Sequence, residues 1–219
     1  MKTLFISDLH LDPGAPEITQ QFVDFLARDA ASAEALFILG DLFEVWLGDD
    51  DPEPAYREAK AALRRLTAGG VPCRILHGNR DFLIGRQFCE ETGAELISDG
   101  HRVSLYGSEA VLMHGDVLCT DDTSYQRLRR IVRNPAVQWG FRRMSLERRR
   151  RLAERMRAGS RMHTGQTAAA IMDVNAAAVI AAFRTAGTRY LVHGHTHRPA
   201  VHELEIDGET ARRIVLGDW

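Results

Sequence analysis

Lysine is nearly absent: the chain has 2 lysines against 26 arginines. Its three cysteines, Cys73, Cys89 and Cys119, are widely spaced. That odd number fits neither a CxxC pair nor a disulfide framework, so reduced packing residues in a cytoplasmic protein are expected. No apolar run approaches the ~20 residues needed to span a bilayer, which argues against a membrane-crossing helix. The N-terminus, MKTLFISDLHLD, carries one lysine and then carboxylates, and reads as part of the fold, not as a secretion signal. No internal repeat or low-complexity linker divides the sequence. The 219 residues, 45% hydrophobic, suffice for one domain with a substantial core.

What is abundant is arginine, and in one place. The formal net charge is −2, yet 13 of the 26 arginines lie between Arg127 and Arg161, opposed only by Glu147 and Glu154. The run RRMSLERRRRLAERMR (142–157) is the densest part. Nucleic acid, an anionic membrane and a phosphorylated substrate all suit such a segment.

Around it, strands and helices alternate. TLFIS (3–7), ALFILG (35–40) and PCRILHG (72–78) read as buried strands. EITQQFVDFLARDA (17–30) and PAYREAKAALRRLTAGG (54–70) read as helices, the first with Ile18, Phe22, Phe25 and Leu26 on one face. This order predicts a parallel α/β sheet. HRVSLYGSEAVLMHGD and HELEIDGETARRIVLG read as hairpins, with RYLVHGH as a further strand. Residues 121–161 have a helical composition, and TAAAIMDVNAAAVIAAFRTAG (167–187) predicts one helix closed by Gly187. The expected architecture is a two-sheet α/β sandwich spanning 1–219, with a helical insertion at about 121–165 that holds the arginines.

Five segments share one habit: a buried strand followed at once by metal-ligand residue types. LFISDLH supplies Asp8 and His10, LFILGD Asp41, RILHGNRD Asn79, VLMHGD His114, and YLVHGHTH His195 and His197. Loops just past the carboxyl ends of strands are where α/β folds place their sites. Seven O and N donors exceed one tetrahedral zinc site and suit two divalent ions about 3.5–4 Å apart with a bridging carboxylate. The scarcity of thiolates favours harder ions such as Mn²⁺ or Mg²⁺. One such residue alone is as easily a loop or cap residue; five motifs together are not.

The series DLH…GDLFE…GNRD…HGD…HGHTH resembles the calcineurin-like metallophosphoesterases across almost the whole chain. The resemblance implies one metal on Asp8, His10, Asp41 and His197 and a second on Asp41, Asn79, His114 and His195, bridged by Asp41. Many relatives have GNH where this chain has Gly78-Asn79-Arg80, and that histidine is thought to protonate an alkoxide leaving group. Arginine stays charged and does not donate in that way. Arg80 instead fits a reaction whose leaving group is already a stable anion, as in pyrophosphate cleavage, where it would clamp phosphoryl oxygens.

GDLFEVWLGDDDP, HGNRDFLIG, LMHGDVLCTDDTSYQ, AIMDVN and VHGHTHRPAVHEL are similar, more closely still, to the branch of that family acting on UDP-2,3-diacylglucosamine in lipid A biosynthesis. The resemblance implies water attack at the α-phosphorus, giving UMP and 2,3-diacylglucosamine 1-phosphate, with Asp41, Asn79, Arg80 and His114 catalytic. Phosphosugar contacts carry over to Asn79, Arg80, Asp122, Tyr125, Arg157, Ser160 and His195. Thr164 stands where a small polar residue is usual, and Thr167 where some relatives carry lysine. Asp122 and Ser160 fit helix capping as well. Trp46 and Phe82 suit either pocket lining or packing.

The same branch places acyl chains under a helical cap at the position of 121–165. The arginines there are interleaved with Val137, Trp139, Phe141, Met144, Leu146, Leu152 and Met156, a pattern suited to an anionic lipid interface. The expectation is a cytoplasmic enzyme peripheral to the inner membrane, with two divalent ions, preferably Mn²⁺, no nucleic acid and no obligate protein partner. A calcineurin-like phosphoesterase of soluble nucleotides is the alternative. Relatives continue past the segment matching RRIVLGDW with a further strand, so an exposed sheet edge is expected here.

Overall fold

A computed structural model of the chain describes residues 2–166 and 173–219, the side chains of 160–166 excepted. Two sheets face each other. The first has four parallel strands in the order β1 (Thr3–Ile6), β2 (Ala35–Ile38), β3 (Cys73–Ile75), β4 (Glu95–Leu96). The second orders its five strands as β5 (His101–Leu105), β6 (Ser108–Leu112), β7 (Tyr190–His193), β9 (Glu209–Val215), β8 (Ala200–Ile206). Both expected hairpins, β5–β6 and β8–β9, are antiparallel, whereas β6–β7 and β7–β9 are parallel.

The period-2 geometry of a strand decides which core each side chain enters. In β2 and the residue after it, Leu36 and Ile38 pack on the helix side, whereas Ala35, Phe37 and Leu39 pack between the sheets. The inter-sheet layer is completed by Leu76, Leu112 and Val192. Helices α1 (Pro16–Arg28), α2 (Ala55–Ala68) and α3 (Arg86–Thr92) cover the outer face of the first sheet, burying Phe22, Leu63 and Phe88. Helix α7 (Ala176–Ala186) covers the second, with Val179 and Phe183 against Val111 and Leu191. The result is a four-layer α/β/β/α arrangement, in which the two-sheet α/β sandwich expected from the sequence is present.

The helix expected over 167–187 starts later. The Asn175 side chain accepts from the Ala177 and Ala178 amides, at 2.9 and 3.2 Å, and so caps α7 at its first turn. Residues 173–175 are not helical, and 167–172 lie outside the described residues. The short α3 and β4 were not legible, being too brief to show a period. In the chain, between β6 and α7, come α4 (Thr123–Val132), α5 (Pro135–Arg142) and α6 (Leu146–Gln166). Asp122 caps α4 by accepting from the Tyr125 amide at 2.9 Å, and Asn134 caps α5, with Pro135 in its first turn.

Candidate metal centre

Because β1, β2 and β3 run parallel, and β6 runs parallel to β7, the loops carrying all seven expected ligands leave the same end of the sandwich. Direct bonds tie the two sheets together there. The His195 amide donates to Asp8 Oδ2 at 2.8 Å, and the His114 ring to the Leu39 carbonyl at 2.9 Å. Within the first sheet, the Asp8 amide donates to the Gly40 carbonyl and the His10 amide to the Asp41 carbonyl.

The backbone is forced to do this. Asp8, His10, Asp41, His195 and His197 all adopt positive φ, between 50° and 69°. For residues with a Cβ such values are uncommon and concentrate at functional sites. The neighbouring glycines allow close approach: a Cβ on Gly78 would lie 2.0 Å from Asp41 Oδ1, and one on Gly194 2.2 Å from Asp8 Oδ2.

The donors converge. Asp8, His10 and His197 have ligand atoms within 4.8 Å of one another, and so do Asp8, Asp41 and His114. Asp8 is common to both groups, while Asp41 Oδ2 sits 3.8 Å from both His10 Nε2 and His114 Nε2. Asn79 Oδ1 lies 3.0 Å from both His114 Nε2 and His195 Nδ1. Three histidines have Nδ1 engaged on the outside: His10 with Glu44 at 2.9 Å, His114 with Leu39, and His197 with Asp218 at 3.1 Å. Such bonds fix the tautomer and turn Nε2 toward the centre, the usual outer-sphere arrangement of metal-binding histidines. Asp8 Oδ1 and His10 Nε2 are buried without a hydrogen-bond partner. Unpartnered polar atoms at the focus of such a donor set fit a cation.

Electrostatics agrees. Burial pushes Asp41 up to about 6 despite the charge of His114. Burial would lower His114, but the Asp41, Asp116 and Asp8 carboxylates raise it to about 9. His195 is lowered to about 3 by burial and by the charge on His114. Desolvation alone would raise Asp8, yet the nearby His197 ring, 3.5 Å from Oδ1, and the charge of His114 hold it below the usual carboxylate range. In the metal-free protein at neutral pH, His114 is therefore protonated, and ligation requires its neutral form. Metal affinity is expected to rise with pH as His114 loses its proton at about 9. His10, raised against its burial by the bond to Glu44, and His197, raised by its pairing with Asp8, join it, so that about one proton or more is released per chain at pH 7. Calorimetry in buffers of different ionisation enthalpy measures this; proton-neutral uptake would put His114 outside the ligand set.

The other expected residues surround this cluster. The Arg80 amide donates to Asp41 Oδ1 at 2.8 Å. The Tyr125 ring stacks near His195, 6.1 Å between centroids, and its hydroxyl donates to the buried Asp116 at 2.8 Å. Arg157 approaches Glu44 Oε1 at 3.9 Å. The side chains of Ser160 and Thr164, and Thr167 altogether, lie outside the described residues. Trp46 is buried among Phe43, Tyr56 and Phe88 yet also lines a cavity of about 360 Å³, and Phe82 lines it beneath the Arg133 guanidinium. That cavity is mostly apolar, walled by Leu128, Val132, Val137, Phe141, Leu152 and Met156, and it reaches Asn79 of the ligand cluster and the adjoining Arg80.

The arginine-rich segment divides in two. Arg129 donates to Asp116 at 2.7 Å, and Arg133 to the Gly78 carbonyl at 2.8 Å. Arg149, only 2% exposed, pairs with Asp50 and donates to the Leu47 carbonyl at 2.8 Å. These side chains fasten α4 and α6 to the metal loops. Arg127, Arg130, Arg143, Arg148, Arg151 and Arg155 face outward. Sequence reasoning missed Glu44, Asp81, Asp99, Asp116 and Asp218. Asp81 holds the Leu42 and Gly78 amides at 2.8 Å each. Glu44, Asp81 and Asp116 do stand inside the GDLFE, GNRD and HGD motifs, which was the available signal.

With this strand-loop geometry and donor set, the fold and site define a two-sheet metallophosphoesterase. The calcineurin-like phosphoesterase family model matches residues 1–199, and the chain belongs to that family. Within it, the chain is 51% identical over 219 residues to the UDP-2,3-diacylglucosamine hydrolases of Yersinia pestis bv. Antiqua (strain Angola) and Yersinia pseudotuberculosis serotype O:1b (strain IP 31758), covering all of this chain and 91% of each relative. Vacuolar protein sorting 29 from Cryptosporidium parvum shares the fold, with a TM-score of 0.50 and 17% identity over 99% of this chain and 73% of that one.

Proposed function

We propose that this chain hydrolyses the pyrophosphate bond of UDP-2,3-diacylglucosamine by water attack at the α-phosphorus, releasing UMP and 2,3-diacylglucosamine 1-phosphate. The observation that carries the reading is the apolar cavity that reaches Asn79 of the ligand cluster and its neighbour Arg80. A soluble nucleotide has no use for such walls; acyl chains beside a pyrophosphate do. The 51% identity to enzymes named for this substrate supports the same conclusion.

In this reading Asp8, His10, Asp41 and His197 hold one divalent ion and Asp41, Asn79, His114 and His195 a second, preferably Mn²⁺. Bound cations supply a lowered water pKa and polarised phosphoryl oxygens. The protein supplies orientation. Arg80 keeps a buried, unpartnered Nε–H available to phosphoryl oxygens. Tyr125, Asp122 and Arg157 border the phosphosugar, with Ser160, Thr164 and Thr167 as further contacts. Helices α4–α6 act as a cap over the acyl chains.

The test is UMP release with Mn²⁺ from UDP-2,3-diacylglucosamine and, in parallel, from UDP-N-acetylglucosamine. Cleavage of the acylated substrate alone supports the reading; equal cleavage of both favours the soluble-nucleotide alternative. Arg80→Ala should lower kcat/KM by about 10²-fold, the scale of one transition-state donor, with Mn²⁺ affinity unchanged. Loss of metal binding would make Arg80 a structural residue.

Among the described residues, no helix is long and apolar enough to cross a membrane. Away from the cavity the cap nonetheless exposes Met144 and Trp139, the latter 61% exposed, among its outward arginines, and Leu128, Ile131 and Val137 are partly exposed where they line the cavity. This mixture suits the anionic, cytoplasmic face of the inner membrane. Co-sedimentation with phosphatidylglycerol vesicles should therefore weaken as salt rises through a few tenths molar, where the Debye length shrinks below about 8 Å. Salt-insensitive binding, or none, would remove the membrane assignment.

A further inference from the structure

Glu44 stands where three elements meet. Leu11 and Phe43 form a parallel bridge, and the Glu44 amide donates to the Leu11 carbonyl at 3.1 Å, so the residue is fixed against the His10 loop. Its two carboxylate oxygens are used differently. Oε2 is bonded to His10 Nδ1 at 2.9 Å. Oε1 faces two guanidiniums, Arg80 at 3.7 Å from the Asn79 loop and Arg157 at 3.9 Å from α6. Those distances exceed hydrogen-bond length, so the arginines are aimed by charge without having their donors consumed. The Nε atoms of both arginines are buried without a partner, as is His10 Nε2 on the metal side.

We propose that Glu44 is a positioning residue that aims a metal-binding histidine with one oxygen and two phosphate-binding arginines with the other, coupling the cation site to the cap. This rests on the reading of the centre given above. Among the described residues, its carboxylate is the part of the arrangement that all three groups share. A neutral acceptor can replace the bond to His10, but only a negative charge can hold Arg80 and Arg157 side by side against their mutual repulsion. The two tasks are thus separable by chemistry.

Glu44→Gln and Glu44→Ala are compared with wild type by calorimetric titration of Mn²⁺, then of inorganic phosphate into the Mn²⁺-loaded proteins, alongside UMP release. Glu44→Gln should keep Mn²⁺ affinity within about threefold, because an amide oxygen still accepts from His10, while phosphate binding weakens about tenfold for want of the charge. Glu44→Ala should lose both, with Mn²⁺ affinity falling about 10–100-fold, the usual cost of an outer-sphere partner. Wild-type phosphate affinity in Glu44→Gln, or wild-type Mn²⁺ affinity in Glu44→Ala, would overturn the proposal, as would parallel loss of both affinities in the two variants. Wild-type protein that binds Mn²⁺ and phosphate but leaves UDP-2,3-diacylglucosamine intact would sink the substrate reading alone, since both titrations still decide the role of Glu44.

Discussion

Asp41→Ala is expected to abolish UMP release, lowering turnover by about 10³-fold or more, since the metal's contribution to such reactions is several kcal/mol. Asp41 occupies the geometric middle of the centre, with Oδ2 at 3.8 Å from both His10 Nε2 and His114 Nε2. Its other oxygen accepts the Arg80 amide at 2.8 Å, so the carboxylate fixes the loop bearing Asn79 as well. In the proposed two-ion assignment Asp41 is the shared ligand, so its removal takes a donor from both half-sites. Mn²⁺ titration should show weakened binding together with the lost turnover. His114 should also titrate at lower pH, because Asp41 is the leading charge that raises it. Wild-type turnover in this variant would sink the two-metal assignment.

Gly78→Ala should be nearly as damaging for a different reason. The added Cβ would lie 2.0 Å from Asp41 Oδ1 and 2.2 Å from the Asp41 amide nitrogen, and the latter is backbone that cannot rotate away. The β2 and β3 loops must then separate, which disrupts the Gly78–Asp81 bond and displaces Asn79. A destabilisation of about 3 kcal/mol is expected, at the upper end for overpacking, with Mn²⁺ affinity lost in parallel. Gly140→Ala in α5 is the control: nothing lies within 4 Å of its added Cβ, and a helical glycine replaced by alanine should gain up to about 1 kcal/mol. Chemical denaturation of the two variants should give shifts of opposite sign. A Gly78→Ala protein as stable as wild type would mean that the loops are looser than the packing implies.

How much of this was readable from sequence depended on the range of the interaction. The strand-then-ligand habit identified all seven convergent residues, because a buried apolar run fixes where a strand ends and the ligand types follow within a few positions. What the run cannot encode is the partner across the fold. Glu44 and Asp116 sit inside quoted motifs, yet their meaning comes from His10, 34 residues away, and from Tyr125 and Arg129 on α4. The start of α7 was missed because the alanine-rich composition of 167–187 outweighed the Asp173-Val174-Asn175 step within it, where Asn175 caps the helix.

The arginine-rich segment draws the same line most clearly. By itself the sequence determined that the segment is helical, strongly basic and mixed with apolar residues, since composition and local spacing carry that information. Which arginines face water and which fasten α4 and α6 to the metal loops was decided only by tertiary structure. Arg148 and Arg149 are adjacent and chemically identical, but one is exposed and the other is buried against Asp50 and the Leu47 carbonyl. Neighbours on a helix point about 100° apart, and which of those directions meets a carboxylate is settled only when the loop at 47–50, a hundred residues earlier, has been folded beneath it.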